Sequence, residues 1–251
     1  MSDSVSRFSD RVANYVKYRP DYPREIIAFL SETCGLTKDS VIADVGCGPG
    51  ISSRMFVENG NRVIGVEPND AMREAARKFL AEYEDFEIVD GRSDATTLPD
   101  NSVDFVTAAQ AFHWFDATMT RPEFERILKG NGHIVLIWNL RLESATPFLI
   151  EYEDFIRRYS SDYIAVRHNN ITDSEVASFL GANYGKQVFP NKQIFDFEGL
   201  KGRLLSSSYI PNETQPGYSR MIGELRDLFA KHAVADRIEI LYDTIIYYSV
   251  A

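Results

Sequence analysis

The chain has 251 residues, enough to bury a full hydrophobic core in one large domain or two small ones. Its apolar share of 44% and charged share of 25% are those of an ordinary globular protein. A formal net charge of -10, with no local run of Lys and Arg, argues against broad binding to nucleic acid or to an anionic membrane.

Met1–Asp10 is polar and has no apolar signal-peptide core, and no apolar run approaches the ~20 residues that span a bilayer, so a reducing, cytoplasmic setting is expected. Phe8, Val12, Tyr15 and Val16 fall at helical spacing, and Pro20 and Pro23 then break the chain. A helix is expected from Pro23, with Ile26, Ile27, Phe29 and Leu30 inward, stopping near Gly35. Val41–Val45 reads as a buried strand. The next helix runs from about Ile51 to Asn59-Gly60, and Arg62–Val66 is the second strand. Asn69 or Asp70 caps a helix whose apolar face is Met72, Ala75, Ala76, Phe79, Leu80 and Tyr83. Phe86–Val89 and the almost wholly apolar Val103–Ala109 are strands three and four. Thr120-x-x-Glu123 is expected to box the start of a helix, with Pro122 in its first turn and its end at Lys129–Gly132, before strand five at His133–Trp138.

Later segments read as helix at Phe148–Tyr159, a boxed helix at Thr172–Leu180, a strand at Gln187–Phe197, a short helix at Leu200–Leu205, a helix at Tyr218–Lys231 and a β-rich end at Arg237–Val250. Strand and helix alternate through the first half, which predicts a doubly wound α/β fold with a parallel sheet. One domain with a helical insertion is expected: an N-terminal helical lid (1–36), a ligand-binding core (37–140), the insertion (141–185) and C-terminal strands and helices (186–251).

The glycines fall at 46, 48 and 50, between the first strand and its helix, and Glu67 ends the second strand. That is a nucleoside-binding βαβ layout. A dinucleotide fingerprint, as in an NAD-dependent oxidoreductase, would want its third glycine at position 51, which is Ile51. Asp44, two residues before the first glycine, would repel a pyrophosphate and welcome a cation. S-adenosylmethionine carries a sulfonium and an ammonium and no phosphate. Cys34 and Cys47 show no CxxC spacing, and Cys47 is a small residue inside the turn.

Asp44–Gly50, Gly65-Val66-Glu67-Pro68, and Asp94-Ala95 with Leu98-Pro99 and Asp104 resemble a class I S-adenosylmethionine-dependent methyltransferase of type 11 over roughly residues 37–140. Tyr18–Pro23 and Ala111–Phe115 are similar to the small-molecule branch that includes trans-aconitate methyltransferases. The resemblance implies a seven-stranded, mainly parallel Rossmann-like sheet and S-adenosylmethionine as cofactor. It implies that Gly46, Cys47, Gly48 and Gly50 pack on the ligand and that Asp44 attracts its ammonium, directly or through water. Glu67 would take the ribose hydroxyls, Pro68 and Met72 would touch adenine, and Asp94 with the Ala95 amide would meet the adenine edge. Gln110 and Arg19 would hold the methionine end.

His113 is the expected general base, needed only if the acceptor must lose a proton; a carboxylate acceptor needs none. Tyr18, Trp114, Arg141 and Tyr209 are expected at the substrate, with Arg167 and His168 as further cationic groups for an anion. Enzymes that methylate nucleic-acid or protein amide nitrogen would be expected to carry Asn/Asp-Pro-Pro-Tyr/Phe after strand four, where this chain has Ala109-Gln110-Ala111-Phe112. No Cys/His cluster has metal-ligand spacing. A small-molecule acceptor is the expected partner, with no nucleic acid and no membrane. The alternative is a non-catalytic binder of the same cofactor with a regulatory role.

Overall fold

A computed structural model of the protein describes residues 12–160 and 172–250. Phe8, Arg167 and His168 lie outside the described residues. In chain order the elements are α1 (Val12–Tyr18), α2 (Glu25–Cys34), β1 (Val41–Val45), α3 (Ile51–Asn59), β2 (Arg62–Val66), α4 (Asp70–Phe79), β3 (Phe86–Val89) and β4 (Val103–Ala109). A 3₁₀ turn at Phe112–Trp114 precedes α5 (Ala117–Ile127) and β5 (Leu128–Arg141). Then come α6 (Pro147–Tyr159), α7 (Asp173–Leu180), β6 (Gly185–Phe195), α8 (Phe197–Leu205), α9 (Tyr218–His232) and β7 (Ile238–Tyr248).

The seven strands form one sheet in the order β3-β2-β1-β4-β5-β7-β6. The first five are mutually parallel, and β7 runs antiparallel to both β5 and β6. The expected mainly parallel, Rossmann-like α/β sheet is therefore present. From β1 the chain winds outward to β2 and β3, then crosses back to β4 on the other side. The carboxyl ends of β1 and β4 thus flank the point where the winding reverses, which is where open α/β sheets leave a crevice.

Alternating strand residues go to opposite faces. Ala43, Val45, Ile64, Val66, Val106 and Ala108 pack with Phe124, Ile127 and Phe179 on one side. Ile42, Val63, Phe105 and Val135 pack with Ile26, Leu30, Met55 and Phe56 on the other. Ile26 and Leu30 are wholly buried, so truncating Leu30 to Ala costs about 2–5 kcal/mol. A third cluster joins α6, α8 and α9 to the start of β7 through Phe148, Tyr152, Leu200, Leu225, Ile238 and Tyr242. It stands over the β5–β7 end of the sheet.

The helix ends follow their caps. Gly35 and Gly60 close α2 and α3 in the left-handed region, and the Asn69 side chain accepts the Met72 amide at the start of α4. Thr172 and Glu175 form the expected capping box. The box expected at Thr120 is absent. Asp116 caps α5 instead, accepting the Thr118 and Met119 amides, which moves the start of the helix to Ala117. Thr120 lies inside the helix and donates to Ser93 Oγ at 2.8 Å, while Glu123 accepts from the Thr96 amide at 2.7 Å. An Asp one residue before the helix outcompetes a Thr already surrounded by helical neighbours. β5 also begins earlier than expected, because Leu128 pairs with Val103 before the register shifts and resumes at His133 opposite Phe105. β6 is an edge strand, which is why Pro190 is tolerated in it.

Candidate functional site

The turn after β1 leans on β2, with the Gly46 amide donating to the Val66 carbonyl at 2.8 Å. Gly46 sits at φ +71°, and a Cβ there would lie 2.7 Å from Ala111 Cβ. Gly48 sits at φ +55° with no atom within 4 Å of the position a Cβ would take. The bare surface expected of all three glycines therefore faces open space at Gly48. Gly46 is bare to admit Ala111, and Gly50 to admit Leu80. Cys47 is buried among Asp44 and Glu67, and burial first, then those acids, pushes its thiol well up, so it stays protonated.

Asp44 is wholly buried. Its Oδ2 accepts from Ser52 and Ser53 Oγ at 2.6 Å each, and its Oδ1 accepts from Thr107 Oγ1 at 3.1 Å. Burial raises its pKa and the three hydroxyls oppose the rise. The expected direct contact with an ammonium is not available to it. It lies beneath the turn as a buried acid that locks the first turn of α3 to β1 and β4.

Glu67 crosses from β2 to the same turn. Its Oε2 accepts the Gly48 amide at 3.0 Å and its Oε1 accepts the Asn69 amide at 2.9 Å. Burial raises its pKa, opposed by these two amides and by Arg73, which also donates to the Glu67 carbonyl at 2.8 Å. Each carboxylate oxygen keeps a lone pair, so two vicinal hydroxyls can still be accepted. Pro68 is half-buried beside Glu67, and Met72 is buried in α4. Asp94 lies just beyond the third strand of the same edge and is bonded by Arg92 at 3.0 Å, which holds its carboxyl below the ordinary value. The Ala95 amide donates to the Arg92 carbonyl at 3.1 Å, so it is engaged within its own turn rather than presented to a ring.

A cleft opens at the β1/β4 crevice, with about 920 Å³ of space including its open mouth. Gly46, Cys47, Gly48, Gln110, Arg19, Arg141 and Tyr209 line it, as expected from the sequence. Gln110 is held at φ +55°, in the left-handed region, and its Nε2 donates to the Asn139 carbonyl at 3.0 Å. That bond fixes the amide orientation and leaves its buried Oε1 with no partner. An ammonium donor answers that acceptor. Arg19 likewise has a buried Nε without a partner, although its Nη2 donates to the Ser206 carbonyl at 3.1 Å. The open face of Gly48, the spare lone pairs of Glu67, the Gln110 acceptor and the Arg19 donor fit the hydroxyls, ammonium and carboxylate of S-adenosylmethionine.

Asp44, Gly50, Glu67, Pro68, Met72, Asp94, Ala95, Tyr18, Trp114 and His113 are not among the lining of this cleft. Tyr18 packs on Gly202, where a Cβ would collide with its ring, and its carbonyl accepts from Gln193. Trp114 is 40% exposed, with its ring tilted against that of His113 at 4.9 Å between centroids. Burial lowers the His113 pKa to about 4, because the 3₁₀ turn directs the ring into protein rather than into the cleft. The cleft has lining that the sequence reading missed: Tyr15, Tyr22, Asn139, Arg203 and Tyr242. Ser52, which follows Gly50 and Ile51 and also lines the cleft, was a legible polar signal. Arg203 had none, because nothing in its helix distinguishes it from a surface arginine.

Residues 43–136 match the family model described as a methyltransferase domain. The chain therefore carries a methyltransferase domain, which runs from β1 into β5. It is 27% identical over 252 residues to an uncharacterized methyltransferase-like protein of Schizosaccharomyces pombe, covering 98% of this chain and 95% of that one. It is 35% identical to an uncharacterized methyltransferase of Mycobacterium tuberculosis over 141 residues, 56% of this chain and 55% of the relative. In fold it is similar to a candidate type II methyltransferase from Anaeromyxobacter dehalogenans, with a TM-score of 0.70 at 21% identity over 92% of this chain and 97% of the other. Among the described residues no helix is long and apolar enough to cross a membrane.

Proposed function

We propose that the chain methylates a small molecule at an oxygen that is already ionised, a carboxylate, in the cleft beside Gln110. The observation that carries this reading is the lining itself: arginines, tyrosines and amides, with its one acid, Glu143, 3.8 Å from Arg157, and the one expected base, His113, outside it and neutral. S-adenosylmethionine, when bound, supplies an electrophilic methyl on a cationic sulfur that departs as a neutral thioether. A carboxylate nucleophile reaches the methyl with no proton to remove, so alignment and exclusion of water are what the residues must provide.

In this reading Glu67 holds the ribose hydroxyls and Asp94 accepts from the adenine amino group, with Pro68 and Met72 against the ring. Gln110 Oε1 accepts from the ammonium, and Arg19 meets the donor's carboxylate. Asp44 acts at one remove by holding the turn. Arg141, which donates to Glu153, and Tyr209 face the acceptor side. A radiolabelled methyl-transfer screen over small acids, amines and phenols tests it. Transfer to acids with alkali-labile products is expected; transfer to amines or phenols alone would overturn it.

A further inference from the structure

We infer that the Tyr22 hydroxyl oxygen meets the sulfonium of the methyl donor, so that the cleft prefers S-adenosylmethionine to its uncharged product, S-adenosylhomocysteine. This rests on the donor reading above and extends it to the one charged group of the donor still without a partner. Tyr22 lies on the short stretch between α1 and α2, and that stretch is docked from outside. The Asp21 carbonyl accepts from Asn191 Nδ2 at 2.8 Å and from Asn139 Nδ2 at 3.3 Å, and the Asp21 side chain pairs with Arg54 on α3. Asp21 thus turns away, while Pro20 and Tyr22 on either side of it line the cleft. The Tyr22 ring packs against the cluster that holds Ile26 and Leu30. The hydrogen bond Tyr22 makes among the described residues runs from its amide to Asp21 Oδ1 at 3.0 Å, so the hydroxyl is unspent. Other groups of the lining are taken: the Tyr242 hydroxyl by Gln193 and Arg203, that of Ser52 by Asp44, and the ring face of Tyr15 by Arg19 at 4.7 Å.

The place of Tyr22 along the donor follows from its neighbours. With the ribose at Glu67, beside the Gly46–Gly48 turn, and the methionine end at Gln110 and Arg19, the sulfur that joins them falls in between. Tyr22 stands between the same groups. Asn139, whose side chain holds Asp21, also fixes Gln110 through its carbonyl. Burial first, then Tyr15, Asp44 beneath the turn and Asp21, raise the ionisation of the hydroxyl well above the ordinary phenol value, with Arg19 opposing. It therefore keeps its proton, does not compete as a nucleophile for the methyl, and offers the cation a lone pair. A lone pair aimed at a cation in a partly desolvated cleft is attractive, and a neutral thioether forfeits that attraction. Once the methyl has gone to the acceptor oxygen, the electron pair of the broken bond stays on sulfur, the positive charge is gone, and the contact goes with it. Tyr22 thereby favours loading of the donor over retention of the product.

The test is calorimetric titration of the full chain with S-adenosylmethionine and with S-adenosylhomocysteine, each alone and with no acceptor present. Wild type is expected to bind S-adenosylmethionine several-fold the tighter. Tyr22→Phe keeps the ring and removes the oxygen, and since that hydroxyl has no partner in the fold the variant is expected to melt with the wild type. It is expected to weaken S-adenosylmethionine binding about threefold to tenfold while S-adenosylhomocysteine stays within about twofold. Equal wild-type affinity for the two ligands, an unchanged S-adenosylmethionine affinity in Tyr22→Phe, or a loss for S-adenosylhomocysteine as large as that for S-adenosylmethionine would overturn the inference and leave the donor assignment standing. A wild type that binds neither ligand would sink the donor assignment, and this contact with it.

Discussion

Glu67 Oε2 accepts the Gly48 amide at 3.0 Å, tying the acid that follows β2 to the glycine turn that follows β1. One carboxylate thereby shapes the turn and keeps lone pairs for a ligand.

Glu67→Gln turns one acceptor oxygen into a donor facing the Gly48 or Asn69 amide. S-adenosylmethionine affinity is expected to fall by roughly 1–3 kcal/mol, the cost of losing charge-assisted hydrogen bonds. Isothermal titration reads it, and an unchanged affinity would remove the ribose role.

Gly46→Ala and Gly48→Ala separate packing from binding. At Gly46 the new Cβ meets Ala111 Cβ at 2.7 Å in a left-handed backbone, so about 2 kcal/mol or more of stability is lost. At Gly48 the Cβ enters open space, so the stability cost is about 1 kcal/mol of backbone strain while donor affinity drops. Urea unfolding beside titration distinguishes them; identical profiles for the two variants would contradict the geometry.

Asp44→Asn leaves one acceptor oxygen for the hydroxyls of Ser52, Ser53 and Thr107 and sets an amide donor against the rest. A stability loss of about 1–3 kcal/mol is expected from the unsatisfied buried groups. A neutral result in chemical denaturation would mean the three hydroxyls find other acceptors.

His113 gives a pH signature. Its pKa falls from the ordinary 6.5 to about 4 on burial. Between those values the unfolded chain binds a proton that the folded chain does not, so this residue's share of stability is present above pH 6.5 and is lost as pH falls toward 4. The loss is at most about 3 kcal/mol. His113→Asn should flatten that slope relative to wild type in unfolding measured at pH 7, 5 and 4, and should leave the pH profile of turnover above pH 6 unchanged. Parallel slopes would show that His113 is not the group that titrates.

The legible parts were those whose signal is local. The strand bounds of β1, β2, β3 and β4 and the caps at Gly35, Gly60 and Asn69 follow from residues a few positions apart. The start of α5 was misread because two caps compete within five residues, and choosing Asp116 over Thr120 depends on where Ser93 and Thr96 arrive from the preceding loop. The site divides the same way. Gly46, Gly48, Glu67 and Gln110 lie at strand ends, where spacing alone puts them on one edge.

By itself the sequence determined the βαβ core and the strand edge where Gly46, Gly48 and Glu67 gather, because a glycine turn and a strand-end acid express short-range geometry. The tertiary structure alone decided what the side chains are free to do. Asp44 is closed off by Thr107, 63 residues away, and Arg19 meets Ser206 across 187 residues. His113 is turned into protein, and Arg203 reaches the cleft through Tyr242, 39 residues on. Whether an ionisable group is spent or available depends on which partners folding brings to it, and those partners leave no mark in local spacing.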